Sequence, residues 1–297
     1  MIRHDMETYL DHRLKNSRFR SWTSELKDHV KQRLVSRADG MYVGFSFDDR
    51  TRHNRFRLVA LHLDDLTSCW NESKIRARIE HFPKTLERFY QCILREIDEE
   101  DFPQSLQGLR PLAHARRNIS LAKLTEAMVV DPDKSLHVSN SNRFMNIKDV
   151  LQILPAGLVL RVRGTVLRHS AANGQPCKLI VKNEKSSASG GVVRLTHYSV
   201  LQYLSSNRIQ STAVSFFHLD VLCSRQNIAQ LCLAYLHAVA EYNDSSAHEL
   251  YQTFPFLHYA AIYLVSHLKV LEAEPVPLSL QQLSRAFLNS KSGSGST

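Results

Sequence analysis

The residues best able to do chemistry lie in Gly190-Gly-Val-Val-Arg-Leu-Thr-His-Tyr-Ser-Val-Leu-Gln-Tyr-Leu204. Val192 to Leu195 alternates as a short strand. Ser199, followed by Gln202 three positions later, reads as a capping box, with Tyr198 and Tyr203 placed for a hydrophobic staple. His197 then falls just outside a helix N-terminus, where unpaired amides and the positive end of the helix dipole favour an anion such as a phosphate. The competing reading is a histidine whose ring is satisfied by a nearby backbone carbonyl.

Other reaction centres are missing from the chain. A phosphate-binding loop needs a lysine directly after its last glycine, and none of the 10 glycines is followed by lysine. There is no Gly-x-Ser-x-Gly elbow, no His-Glu-x-x-His and no spaced Cys/His ligand set. The 15 histidines are scattered, and Asp98-Glu-Glu-Asp101 reads as a solvated helix end, not as an acid/base pair. The expectation is a protein that is not an enzyme, with no catalytic residue, no metal and no cofactor.

The elements that must position His197 are mostly helical. Leu26, Val30 and Leu34 recur at four-residue steps after Trp22, which predicts a helix over 22–38 that stops at Gly40. Shorter helices are expected over 58–67 and 71–81. Leu86, Phe89, Tyr90, Ile93, Leu94 and Ile97 then form one apolar helical face behind Pro83-Lys-Thr85. Helices follow over 104–115 and 121–130, with an extended turn at 118–120, and another opens at Asn146 with Asp149 in its first turn. A strand at 158–162, a polar excursion over 168–191 and the strand at 192–195 complete a helix, helix, helix, hairpin order. Beyond it, Gln226 to Leu236 and Phe254 to Tyr263 read as buried helices. The segment 289–297 is Ser, Gly and Thr apart from Asn289 and Lys291, and is expected to be disordered.

Composition sets the outer bounds. With 297 residues, 43% hydrophobic and 23% charged, the chain can fold a sizeable core or two to three small ones. Its start lacks the apolar core of a signal peptide and no run reaches transmembrane length, so no membrane partner and a cytoplasmic site are expected. The five cysteines, Cys69, Cys92, Cys177, Cys223 and Cys232, read as reduced thiols, mainly in the core. The net charge of +9 is spread along the chain and fits solvated basic faces better than a dedicated nucleic-acid surface. The expected third helix exposes Lys148, Asp149 and Gln152, whose charges cancel, which suits a groove reader poorly. The basic excursion with Arg168, Lys178, Lys182 and Lys185 is what remains of a DNA-binding reading.

Leu195-x-His197-x-Ser199-x-x-x-Tyr203-Leu204 resembles the signature of the winged-helix domain that follows the nucleotide-binding core in fungal NACHT/STAND proteins, NLR-like regulators that often end in ankyrin repeats. The same module is known as the GPI inositol-deacylase winged-helix domain, a name that implies no deacylase chemistry here. Ile228-Ala-x-x-Cys232-Leu-x-Tyr-Leu236 and Phe256-Leu-x-Tyr259-Ala-Ala261 also resemble family segments. So do Leu26-Lys, Ala38-Asp-Gly-Met41, Phe56-Arg-Leu-Val-Ala-Leu-x-Leu-Asp64 and Pro83-Lys-Thr-Leu-Glu87 upstream. Relatives run from Gly-Met directly into Phe-Arg-x-Val-Ala. Here residues 42–55 intervene, either as a surface loop where a helix should start or as an unspliced intron in the reading frame.

The resemblance implies a mainly α fold: the helical end of a NACHT-type module over 1–103 without its phosphate loop, a winged helix with a small β-hairpin wing over 104–210, and a helical linker over 211–288. It also implies that His197 senses nucleotide when docked on an intact core, ATP or ADP being a cofactor only of the full-length family. The expected function is a non-catalytic accessory or fragment of a signalling switch, working through other proteins or a complete NACHT core. The alternatives are a nucleic-acid-binding winged helix, a plain helical scaffold, or a piece of a longer gene product.

Overall fold

A computed structural model describes residues 2–39, 49–130, 143–155, 157–162, 190–240, 247–269, 278 and 280–285. The chain falls into two compact units, Met1–Arg95 and Glu96–Thr297, so the expected winged helix and linker share the second. It is mainly α, with one small antiparallel sheet. Among the described residues no helix is long and apolar enough to cross a membrane.

Among its described residues the first unit has five α-helices, α1 (Ile2–Leu14), α2 (Ser24–Asp39), α3 (Asp49–Leu66), α4 (Glu72–Glu80) and α5 (Leu86–Arg95). Helices α2, α4 and α5 lie where periodicity places them. Each begins on a side-chain cap: Thr23 Oγ1 accepts from the Leu26 amide (3.2 Å), Asn71 Oδ1 from Lys74 (2.8 Å) and Thr85 Oγ1 from Arg88 (3.2 Å). Helix α1 was not expected, although its buried Met6, Leu10 and Leu14 recur at four-residue steps. The expected loop over 42–55 is corrected in its second half, because α3 begins at Asp49 and 49–55 form its first two turns. Residues 42–48 lie outside the described residues.

The core of this unit joins Met6, Leu10, Val30, Leu34, Leu63 and Ile79, among others. Its rim is tied by Arg13 to Asp64 (2.9 Å), Lys31 to Asp11 (2.7 Å) and Arg78 to Asp65 (2.8 Å). Inside it His62 is 2% exposed, with its ring stacked 4.0 Å from that of Phe82 and 5.6 Å from that of Phe89. Its Nε2 has no hydrogen-bond partner among the described residues. Burial, aided by the Arg37 charge, pushes its pKa down to about 3.

The second unit begins with α6 (Phe102–His114), β1 (Ile119–Ser120), α7 (Leu121–Val129), α8 (Val150–Ile153), β2 (Val159–Val162), β3 (Val192–Leu195), α9 (Tyr198–Leu204) and α10 (Asn207–Gln210). Strand order is β1-β3-β2, both pairs antiparallel, with Ile119 opposite Val193 and Val159 opposite Leu195. Helices α6 and α7 approach closely at Gly108, where an added Cβ would lie 2.8 Å from Met128 Sδ. The helix expected to open at Asn146 is shorter than its pattern. Asp149 Oδ2 accepts the Asn146 amide (3.2 Å) and Asn146 Oδ1 accepts that of Lys148 (2.9 Å), so side chains close a turn there and the helix occupies only 150–153 before Pro155. Most of the expected excursion over 168–191, including Arg168, Lys178, Lys182 and Lys185, and the tail over 289–297 lie outside the described residues.

Next in the unit come α11 (Val221–Ala240), α12 (Ala247–Thr253) and α13 (Leu257–Leu268), and residues 280–285 are helical as well. Ile228, Leu231, Tyr235, Phe254, Phe256 and Tyr259 pack a second core that Ala127 and Val130 join from the α7 region. Of the four described cysteines only Cys232 is buried, while Cys92 and Cys223 are exposed and Cys69 is half-buried. The expectation of mainly core thiols is therefore corrected: in α5, Cys92 lies on the face opposite Tyr90 and Leu94.

His62 yields a prediction. The unfolded histidine protonates below about pH 6.5 and the folded one only near 3, so stability is lost progressively as pH falls through that window. Urea unfolding at pH 7 and pH 5 should show the parent losing about 2 kcal/mol more than His62→Leu over this step. Equal losses would place His62 in contact with water.

Candidate functional site

The path from β3 into α9 is built from backbone constraints. Gly190 and Gly191 take φ of +69° and +89°, which side-chain-bearing residues rarely adopt. The Gly191 carbonyl accepts the Leu121 amide (2.8 Å), and the Arg161 guanidinium donates to the Gly190 carbonyl. At the far end of β3, the Thr196 amide donates to Leu158 O (2.8 Å) and its hydroxyl to Gly157 O (2.9 Å). The next residue, His197, leaves the sheet in an extended conformation, half-buried.

His197 itself is the N-cap of α9. Its Nδ1 accepts the Ser199 amide at 3.1 Å and lies 2.7 Å from Ser199 Oγ. An amide can only donate, so Nδ1 carries the lone pair and the ring proton resides on Nε2. The expected capping box is corrected: the helix begins at Tyr198, Ser199 is buried inside its first turn and Gln202 is exposed. The staple is corrected too, because Tyr203 is buried while Tyr198 is 66% exposed. Nδ1 of the ring is therefore bonded to an amide, where the plainer expectation had a backbone carbonyl. Helix α9 has only seven residues.

Two buried polar groups escaped the sequence reading. In the first, Glu126 of α7, 7% exposed, accepts from Tyr235 Oη of α11 (2.9 Å) and from Arg143 Nη2 (3.0 Å). Arg143 also donates to Thr253 O (3.2 Å), and its guanidinium lies 5.5 Å from the Phe254 ring. Burial raises the Glu126 pKa, against the pull of Arg143 and the Tyr235 hydroxyl. In the second, the Arg116 amide donates to Tyr259 Oη (3.1 Å), which donates in turn to Nε2 of the buried His267 (2.9 Å). Burial, then the charges of Arg116 and Arg225, lower the His267 pKa to about 4. The legible signal was a lone Glu126 in the apolar run Leu121 to Val130, and two core tyrosines whose hydroxyls must find partners.

These groups clamp helices together. Neither of the two clefts described below is lined by Glu126, Tyr235 or His267. Among the described residues no group of three His, Cys, Asp or Glu could hold a metal ion. Asp98, Glu99 and Glu100 are exposed, as expected for a solvated helix end.

The chain is similar to azaphilone pigments biosynthesis cluster protein L of Monascus ruber, 26% identical over 197 residues that make up 66% of this chain and 37% of that protein. The match thus spans little more than a third of that relative's length. No protein-family model matches the chain, and no solved structure matches it.

The cap geometry makes a prediction for the chain alone. His197→Ala should destabilise the second unit by about 0.5–2 kcal/mol, and His197→Asn, whose Oδ1 can take the same amide, should restore most of it. Chemical unfolding of the three proteins checks this. An alanine variant as stable as the parent would remove the capping role.

Proposed function

We propose that this chain is a non-catalytic part of a NACHT/STAND-type signalling switch, acting through protein-protein and intramolecular interactions. The observation that carries the reading is the order helix, strand, helix, helix, strand, strand over α6 to β3, with β3 central and the signature histidine at the step into α9. That order is the one a winged helix requires, and it supports a winged helix over 104–210. The residue at the signature position is fixed by its own cap, with Nδ1 turned inward and the ring proton on Nε2. A histidine so held suits a donor contact to a nucleotide phosphate on a docked core, a contact that differs between nucleotide states and so biases a closed-open equilibrium. Similarity to a fungal protein agrees with the fungal setting of the family.

DNA binding is the less favoured reading. Helix α8 has four residues, about 6 Å of helix, too short to track a major groove. A cytoplasmic location belongs with the switch reading.

The test is a graft of the whole second unit, Glu96–Thr297, behind an intact fungal NACHT core in place of its own winged helix. His197→Asn, which keeps the cap and loses the Nε2 donor, should weaken ADP retention roughly ten- to a hundredfold. Unchanged ADP retention in a folded graft would leave His197 as a cap and the chain as a scaffold.

A further inference from the structure

Two clefts of the second unit flank the loop between α6 and β1 and share Arg116. One, of about 410 Å³, is lined by Arg116, Tyr263, Ser266 and Lys269. The other, of about 170 Å³, has Arg116, Arg117, Asn118 and Arg194 among its lining residues. Among the described residues no carboxylate lines either cleft. Among the described residues none of these four cations makes an ion pair, whereas the first unit pairs Arg13, Lys31, Arg76 and Arg78 with carboxylates.

We propose that these clefts form one binding site for a small organic phosphate, with the phosphate among Arg116, Arg117 and Arg194 and an uncharged flat group against Tyr263. The geometry is prepared in advance at Arg116. Its amide is held by Tyr259 Oη (3.1 Å), and its guanidinium donates from Nη2 to Ser266 O (2.9 Å), which orients the planar fork that suits phosphate oxygens. Tyr259 is held by the buried His267, and the same tyrosine lies 4.9 Å from the Tyr263 ring, which fixes the wall of the larger cleft. The smaller cleft has room for about five waters, enough for a phosphate group but not for a folded chain segment. Cations that make no ion pair among the described residues, set around a small concave surface, raise the local concentration of anions. His197 lines neither cleft, so the site stands apart from the nucleotide-sensing reading.

The full chain is titrated calorimetrically with phenyl phosphate, with phenol and with sodium sulfate at matched ionic strength. Phenyl phosphate should bind, with phenol silent and sulfate at least tenfold weaker. Arg117→Gln and Arg194→Gln, both at exposed positions, should each weaken phenyl phosphate about tenfold or more, and Tyr263→Leu should remove its advantage over sulfate. Lys269→Gln gives a further exposed variant should one of these fail to fold. Binding no tighter than sulfate, or affinity unmoved by the folded arginine variants, would overturn the proposal. So would tight binding of a single-stranded oligonucleotide that phenyl phosphate does not displace, since the surface would then serve a nucleic acid.

Discussion

Strand β3 is bonded along both edges, and the second unit is arranged around that fact. Both partners lie upstream in sequence, Ile119 of β1 and Arg161 of β2 facing Val193 of β3, so neither pairing forms locally. What admits both is the Gly190-Gly191 approach. A Cβ at Gly190 would lie 2.8 Å from Ile147 Cδ1 and 3.0 Å from Leu121 Cβ, so only glycine lets the chain pass between the α7 start and the segment before α8. At its other end β3 hands the chain to His197, whose ring closes the first turn of α9. A two-residue backbone constraint thereby sets the path that carries the chain to His197, and the Ser199 amide then makes Nδ1 the acceptor.

Buried polar groups complete the packing where apolar contacts alone would leave the helices free to slide. Glu126 joins α7 to α11 and, through Arg143, to the end of α12, while Tyr259 joins α13 to the loop after α6. The Glu126 carboxylate and the Tyr235 and Tyr259 hydroxyls have their partners, although Arg143 Nε is buried without one among the described residues, and removing one partner would leave the other buried and unsatisfied. His62 in the first unit is different. It is held by stacking on Phe82 and contributes as a neutral aromatic ring, at the cost of acid sensitivity.

Much of the helical scaffold was legible because its signals are local. The seam from Leu86 to Ile97, the repeats at Leu26, Val30 and Leu34, and the alternation at 192–195 all follow from which side chains a helix or strand must bury. The places that escaped are set by partners distant in sequence. Helix α1 mixes its buried Met6, Leu10 and Leu14 with a strongly polar remainder, so its pattern is weak until α2 covers it. The start of α3 lies in the polar stretch Asp49-Arg-Thr-Arg-His-Asn-Arg55, which has no apolar residue to mark a helical face. At the site, the position of His197 beside a helix start was readable from 195–204, but its role as the cap was not, since Ser199 offers the commoner capping hydroxyl two residues later. The cations around Arg116 are spread over 116–117, 194 and 269 and converge only through the fold.

The central claim is that the Gly190-Gly191 approach to β3 organises the second unit and sets His197 in place. Gly190→Ala tests it directly, because the alanine must adopt φ near +69° and push against Ile147 and Leu121. Left-handed strain and overpacking together should cost about 2–4 kcal/mol. Hydrogen exchange read by mass spectrometry should then show amide protection lost across 192–204 and retained over 24–39 in the first unit. Protection across 192–204 equal to that of the parent would contradict the account and leave the glycines without a structural role.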